Sequence, residues 1–137
     1  MDLHVTATAE WNGSQNAGAV GELPFASFRP LGSAADQPSP EYLLLAAITS
    51  SYALTLSLGL RATGLAHMRV RVQADAVIDG DPPNTRFTRV NLMPDITGAD
   101  LGRRGDYETA ATAARNDVVG RSVRGGIAYV IGKVVLS

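Results

Sequence analysis

The chain has 137 residues, with 12 basic and 13 acidic side chains and a formal net charge of -1. That length suits one domain, residues 1–137, able to bury about two-thirds of the surface its unfolded chain exposes. Neither sign of charge forms a block, which excludes the electrostatic footprint of a nucleic-acid or anionic-membrane partner. Cysteine is absent, and with it disulfides, thiolate metal sites and every mechanism that uses sulfur as nucleophile or electron donor.

The opening MDLHVTATAEW shows no basic segment followed by an apolar stretch, so the expected compartment is the cytoplasm. Residues 4–11, rich in Val and Thr, read as a strand, and Asn12-Gly13 supplies the positive backbone dihedrals of a tight hairpin turn. The return strand is expected from about Ala17 to Phe28, and the Pro-, Gly- and Ser-rich segment 29–40 is a crossing loop.

A helix follows. Ser39 fits its N-cap, Pro40 its first position and Glu41 its first turn, where a carboxylate meets the positive end of the helix dipole. It is expected to run to about Thr63, with Gly64 as its stop. Residues 43–60 carry no charge and reach the roughly 18 residues at which a membrane span must be weighed. Thr49, Ser50, Ser51, Thr55 and Ser57 dilute the run and its flanks read as strands of a soluble fold, so a buried central helix is the better reading. Apolar residues lie on all its sides, which demands cover all round, more than one chain of this size readily supplies.

Residues 68–78 alternate Val70, Val72, Ala74, Ala76 and Ile78 against Arg69, Arg71, Gln73 and Asp75, the period of a strand with one exposed face. A loop at 79–83 and a second strand at 85–93 complete a hairpin. Residues 100–116 read as an alanine-rich helix, regular only from about Asp106, and 126–136 as the last strand. The sum is an α+β domain with helices on one face of a mainly antiparallel sheet.

Several stretches resemble the OsmC/Ohr family, small proteins that in their best-known forms reduce organic hydroperoxides. The resemblance covers nearly the whole length. Its strongest part is Pro40-Glu41 and the helix centre Ala47-Ile48-Thr49-Ser50-Ser51-Tyr52-Ala53-Leu54-Thr55, similar to the family's Pro-Glu, Ala-rich, Ser-Cys-aromatic run. Weaker parts are Ala9-x-Trp11-x-Gly13, Ser27-Phe28-Arg29, and the segment from Asp117 to Gly125, similar to the family's Cys-Pro-x-Ser-x-Ala-Leu-x-Gly. In this correspondence the family's two cysteines fall on Ser51 and Asp117, and its proline on Val118. The fold implied is an intertwined homodimer with two central helices packed together, a long buried helix and a second helix in each copy, and a site at each end of the interface. Arg29 matches the arginine that steadies the reactive thiolate, and Glu41 the carboxylate that pairs with it. Glu41 lies ten residues before Ser51, roughly 15 Å along a straight helix, so Arg29 and Glu41 are expected to reach the Ser51 of the other copy.

The family's chemistry does not carry over with the fold. Peroxide reduction of this type takes an oxygen onto a thiolate as sulfenic acid, which a second thiol resolves as a disulfide. A serine hydroxyl has no such ladder, and an arginine cannot make it an equivalent nucleophile at neutral pH. The expected function is binding of a small, mostly apolar molecule in the interface pocket, with Arg29, Glu41, Ser51, Tyr52, Asp117 and Phe28 as candidate contacts. No cofactor is expected, and the candidate partners are a second copy and that ligand. Three alternatives stay open: a non-redox enzyme, for example a hydrolase, using Ser51, Asp117 and Arg29; a role in the organic hydroperoxide response by an altered mechanism; and a scaffold without ligand.

Each candidate also has a plainer role. Ser50 and Ser51 suit hydrogen bonds to helix carbonyls one turn back, Asp117 an exposed helix end, and Arg29 with Glu41 a salt bridge pinning the loop. Trp11, Tyr42, Tyr52, Phe25 and Phe28 suit a core as well as a pocket. His4 and His67 are too scattered for a metal site, and no Gly-x-Ser-x-Gly elbow supports a serine hydrolase.

Overall fold

The computed structural model describes residues 3–11, 18–20, 23–24, 40–81, 84–123 and 125–137. In chain order these form β1 (Leu3–Trp11), β2 (Gly18–Val20), β3 (Leu23–Pro24), α1 (Pro40–Ala62), β4 (Arg69–Asp79), β5 (Arg86–Thr97), α2 (Arg104–Ala113), α3 (Val118–Val123), β6 (Ala128–Ile131) and β7 (Val135–Leu136), with single 3-10 turns before and after α2. The strands make one sheet in the order β3-β2-β1-β4-β5-β6, with β7 also on β5. The pairs from β3 to β5 are antiparallel, whereas β6 and β7 run parallel to β5. The fold is therefore α+β with a mixed sheet. The Asn12-Gly13 turn, the loop at 29–39 with its Ser39 cap and the Pro82-Pro83 pair lie outside the described residues.

The alternation in β4 decides which face holds the core. Val70, Val72, Ala74 and Ala76 are buried while Arg69, Arg71 and Gln73 are exposed. A register shift between Val77 and Ile78 lets both consecutive residues bury. Against this face lies α1, whose Leu45, Ile48, Tyr52, Leu56 and Leu60 are fully buried. Each such side chain contributes about 1.5–3 kcal/mol relative to exposure.

The stop of α1 follows from Gly64, at φ 69°. Leu65 N donates to Leu60 O at 2.9 Å and Gly64 N to Arg61 O at 3.2 Å, the two bonds of a Schellman cap, with Leu60 and Leu65 both buried beneath it. The sheet covers one side of α1, and α2, α3 and the turn at 114–116 cover another. A third side stays open: Leu43, Ser50 and Leu54 are partly buried, Ala47 is exposed and Leu58 is 53% exposed. These residues recur at three- and four-residue steps, one stripe of the helix. By length and composition α1 would also span a membrane, but half of its most apolar stretch is buried against the rest of the chain.

Four elements differ from the sequence-based expectation. In the return strand expected at 17–28, the described residues form two short strands, β2 and β3, that pair antiparallel with each other. The second strand of the hairpin does not end at Met93 but runs through Pro94 to Thr97. Leu92 O accepts from Gly132 N and Ile96 O from Ser137 N, so residues of that phase face β6 and β7. Pro94 therefore faces the gap between Ile131 and Val135, where no ladder donor is needed. The same gap divides the expected last strand into β6 and β7. The helical segment at 100–116 is likewise divided, with a 3-10 turn at Leu101–Arg103 before α2 and another at Ala114–Asn116 after it.

Candidate functional site

Two adjacent hydroxyls at the centre of α1 have different partners. Ser50 Oγ donates to Ala47 O at 3.2 Å, as Thr49 does to Leu45 O at 2.6 Å and Ser57 to Leu54 O at 2.8 Å, each satisfied within its own helix. Ser51 instead leaves the helix and donates to Asp117 Oδ2 at 2.5 Å.

Asp117 stands between the turn at 114–116 and α3, in an extended backbone conformation with φ −67° and ψ 166°. It acts as the N-cap of α3: Oδ2 also accepts from Gly120 N at 3.1 Å, three residues on. The residue is only 2% exposed, not the solvated helix end that its sequence position suggests. Its second oxygen, Oδ1, is buried and has no hydrogen-bond partner among the described residues. Such an orphaned acceptor costs about 1–3 kcal/mol and more when charged.

Gly120 explains how the carboxylate fits. A Cβ there would stand 2.6 Å from both Arg115 O and Asp117 Oδ1, and 3.1 Å from Cε2 of Tyr129. Only glycine lets α3 sit this close. Beside it lies a cavity of about 290 Å³ lined by Arg115, Asn116, Gly120, Ile127, Ala128 and Tyr129.

Tyr52, next to Ser51, is fully buried and donates its hydroxyl to Ala111 O at 2.7 Å, tying α1 to α2. Burial pushes its phenol above the ordinary tyrosine range; the charge of Arg115 partly offsets this and the Asp117 carboxylate adds to it. The core thus holds Tyr52. Glu41 is exposed at the start of α1, roughly 15 Å along the axis from Ser51. Arg29 and Phe28 lie outside the described residues. The structure therefore joins two of the six sequence candidates directly, Ser51 and Asp117, with Tyr52 beside them.

Among the described residues no group of three metal-ligating side chains comes together. His67 Nδ1 is 2.8 Å from Leu65 O, and the side chain of His4 lies outside the described part. Sequence reasoning missed Gly120, Arg115 and Tyr129. For Gly120 a signal existed, because Asp-x-x-Gly is the spacing of an N-cap carboxylate and the amide it holds.

A second hollow, a trough of about 300 Å³, lies between α1 and α2, with Thr55, Gly59 and Thr63 on one wall and Ala110, Ala113 and Ala114 on the other. A third, of about 450 Å³, is bordered by Arg104, Glu108, Thr112 and Lys133.

Comparison with known proteins agrees with this architecture. A hypothetical protein from Aquifex aeolicus VF5 superposes with a TM-score of 0.67 at 12% identity, over 97% of this chain and 98% of that one. An OsmC-like protein from Mycoplasma pneumoniae gives 0.67 at 11% identity, over 94% of each chain. An organic hydroperoxide resistance protein OsmC from Legionella pneumophila, also described as a predicted redox protein and regulator of sulfide bond formation, gives 0.61 at 17%, over 97% of each. At such identities these likenesses speak for the fold alone. No curated protein matches the sequence. The family profile described as OsmC-like protein matches residues 32–130, a span that includes α1, the β4–β5 hairpin and the Asp117 segment. On that match the chain belongs to the OsmC-like protein family, and it does so without a cysteine.

Proposed function

We propose that this protein is an OsmC-like homodimer, one domain over residues 1–137, that binds a small, mostly apolar molecule with one polar group and does not reduce hydroperoxides by a thiol mechanism. The observation that carries the reading is the bond between Ser51 and Asp117. At the two places where the resemblance puts the family's cysteines, a hydroxyl and a carboxylate hold each other. Neither oxygen group can give two electrons to a peroxide and be resolved as a disulfide.

The open stripe of α1 supports the dimer. Leu43, Ala47, Leu54 and Leu58 form an apolar line along the central helix, and a second α1 packed on it would complete the cover such a helix needs. In that arrangement Arg29 and Glu41 of one copy would reach the Ser51 end of the other, as the resemblance implies. Ligand contacts at the site would come from Ser51, Asp117, Arg29 and Phe28.

A second reading has one observation in its favour. A hydroxyl 2.5 Å from a carboxylate oxygen is the contact a nucleophile makes with its base. A Ser51 hydrolase would still need donors aimed at a developing oxyanion.

One experiment separates the readings. Purified, metal-free protein is assayed with cumene hydroperoxide and a dithiol reductant, and with a panel of short- and medium-chain esters. The binding reading expects no turnover in either arm. Catalytic hydroperoxide consumption would sink it, and ester hydrolysis that disappears in Ser51→Ala would replace it with the hydrolase. Native mass spectrometry on protein from its own host reports the dimer and any retained small molecule in the same sample.

A further inference from the structure

We infer that the hollow between the turn at 114–116, α3 and β6 is the ligand's seat, and that the ligand is a small aromatic molecule presenting a neutral O–H or N–H donor to Asp117 Oδ1. The inference rests on the ligand-binding reading above and adds where the ligand sits and what its polar group is.

The starting point is a buried acceptor. Asp117 is 2% exposed; its Oδ2 accepts from Ser51 Oγ and Gly120 N, while its Oδ1 has no partner among the described residues. Buried polar groups are nearly always hydrogen-bonded, and one that is not calls for a specific reason.

Gly120 ties this oxygen to the hollow. It belongs to the lining, and a Cβ added to it would stand 2.6 Å from Oδ1. Tyr129 belongs to the lining too, with Cε2 3.1 Å from that same point. Asp117 is not itself a lining residue: Oδ1 is closed off from the hollow by the backbone of Gly120 and the edge of the Tyr129 ring. Of these two barriers only the ring can swing. Tyr129 is partly buried on β6, the last strand of the sheet order, and a turn of its ring away from Gly120 opens Oδ1 to a molecule in the hollow.

The lining selects the donor. A volume of about 290 Å³ stands at the small end of ligand sites, which begin at roughly 300 Å³, so one or two rings fill it. Ile127, Ala128 and the Tyr129 ring supply apolar contact, and an aromatic body can pair with that ring edge-to-face or offset. Arg115 brings a positive charge to the same lining, with its Nε donating to Thr112 O at 3.3 Å. A cationic head meets the charge of Arg115, and an anionic head meets that of Asp117. A neutral donor avoids both and still gains a hydrogen bond to a carboxylate.

NMR titration of nitrogen-15-labelled protein with p-cresol, 4-methylanisole and 4-methylbenzoate at neutral pH reads affinity and seat together. The anisole keeps the ring and removes the donor; the benzoate is the probe that Arg115 alone would hold. The p-cresol is expected to bind about 10-fold or more tightly than either, the factor a hydrogen bond to a charged group carries, with amide shifts centred on Gly120, Ile127, Ala128 and Tyr129. Asp117→Asn, checked for its fold by circular dichroism, should bring p-cresol down to the level of 4-methylanisole. Ser51→Ala leaves the carboxylate with one donor fewer and so more basic; it should bind p-cresol more tightly, a gain that a packing defect does not produce. Equal binding of p-cresol and 4-methylanisole, tighter binding of 4-methylbenzoate, or an unchanged preference in Asp117→Asn overturns the donor. Shifts that miss Gly120 and β6 overturn the seat. These results leave the ligand-binding reading standing. If no probe binds, this inference falls, and the native mass spectrometry of host protein decides the ligand-binding reading by itself.

Discussion

Removing the Ser51 hydroxyl measures how much of this fold is held by one oxygen-to-oxygen contact. In Ser51→Ala, Asp117 Oδ2 keeps only the amide of Gly120, at 3.1 Å, in a residue 2% exposed. A hydrogen bond to a charged group contributes about 1.5–3 kcal/mol, and the acceptor left behind cannot reach water. Alanine returns up to about 0.5 kcal/mol of helix propensity, so the net loss is about 1–2.5 kcal/mol. Asp117→Ala removes the α3 cap as well, worth about 0.5–2 kcal/mol. Ser51 then falls back on a carbonyl of its own helix, as Ser50 does on Ala47 O. The double variant should therefore be little worse than Asp117→Ala alone, giving a coupling energy of about 1–2.5 kcal/mol. Urea unfolding of the four proteins followed by circular dichroism gives the cycle. Running it at two protein concentrations separates subunit association from folding. A coupling below about 0.5 kcal/mol would refute the reasoning, because the 2.5 Å contact would then join α1 to α3 without stabilising them.

Other variants probe the surroundings of that pair. Gly120→Ala should cost about 1–3 kcal/mol or more, since its Cβ meets two oxygens at 2.6 Å, whereas Gly59→Ala should add about 0.5–1 kcal/mol; thermal unfolding of both checks the contrast. Burial raises the Tyr52 phenol above its unfolded value near 10, so its stabilising contribution is full below about pH 10 and falls as the unfolded chain loses that proton above it. Tyr52→Phe should cost about 1 kcal/mol at pH 8 through the lost bond to Ala111 O, and should be less sensitive than the parent between pH 10 and 11.5 in urea titrations. Ser51→Cys with Asp117→Cys should form an intramolecular disulfide under mild oxidant, detected as a loss of free thiol with unchanged subunit mass; failure to form one would count against the pairing of these positions.

Much of the fold was legible because burial leaves periodic marks. The alternation from Arg69 to Ile78 marks a half-buried strand, and Pro40 with Gly64 brackets α1. What the sequence hid depends on partners far along the chain. Pro94 reads locally as a strand end, yet the break between β6 and β7, about forty residues later, removes the need for its N–H. The parallel course of β6 and β7 follows from α2 and α3 carrying the chain back across the sheet, and no local pattern encodes it. At the site, Ser50 and Ser51 look interchangeable in sequence. They lie about 100° apart on the helix, so one faces its own backbone and the other meets Asp117, 66 positions away. The burial of Asp117 was hidden for the same reason, since it depends on Gly120 admitting α3 to within reach of Arg115 O.

The contact between Ser51 and Asp117 also bears on why a fold of this family tolerates the loss of sulfur. Two cysteines at these positions could be joined or apart according to redox state, so the helix and the segment bearing Asp117 would be tied or untied with the chemistry. A hydroxyl and a carboxylate are joined in either redox state, and the carboxylate caps α3 as well. The tie between α1 and α3 is then permanent with respect to oxidants, and it opens only to something that competes for the carboxylate. In this buried acid Oδ2 accepts two hydrogen bonds and Oδ1 has no partner among the described residues. If Ser51 and Asp117 stand where the family carries its cysteines, as proposed, oxygen in place of sulfur moves control of the site from an electron donor to a competitor for the carboxylate, and a binding assay then tests this protein more sharply than any peroxide.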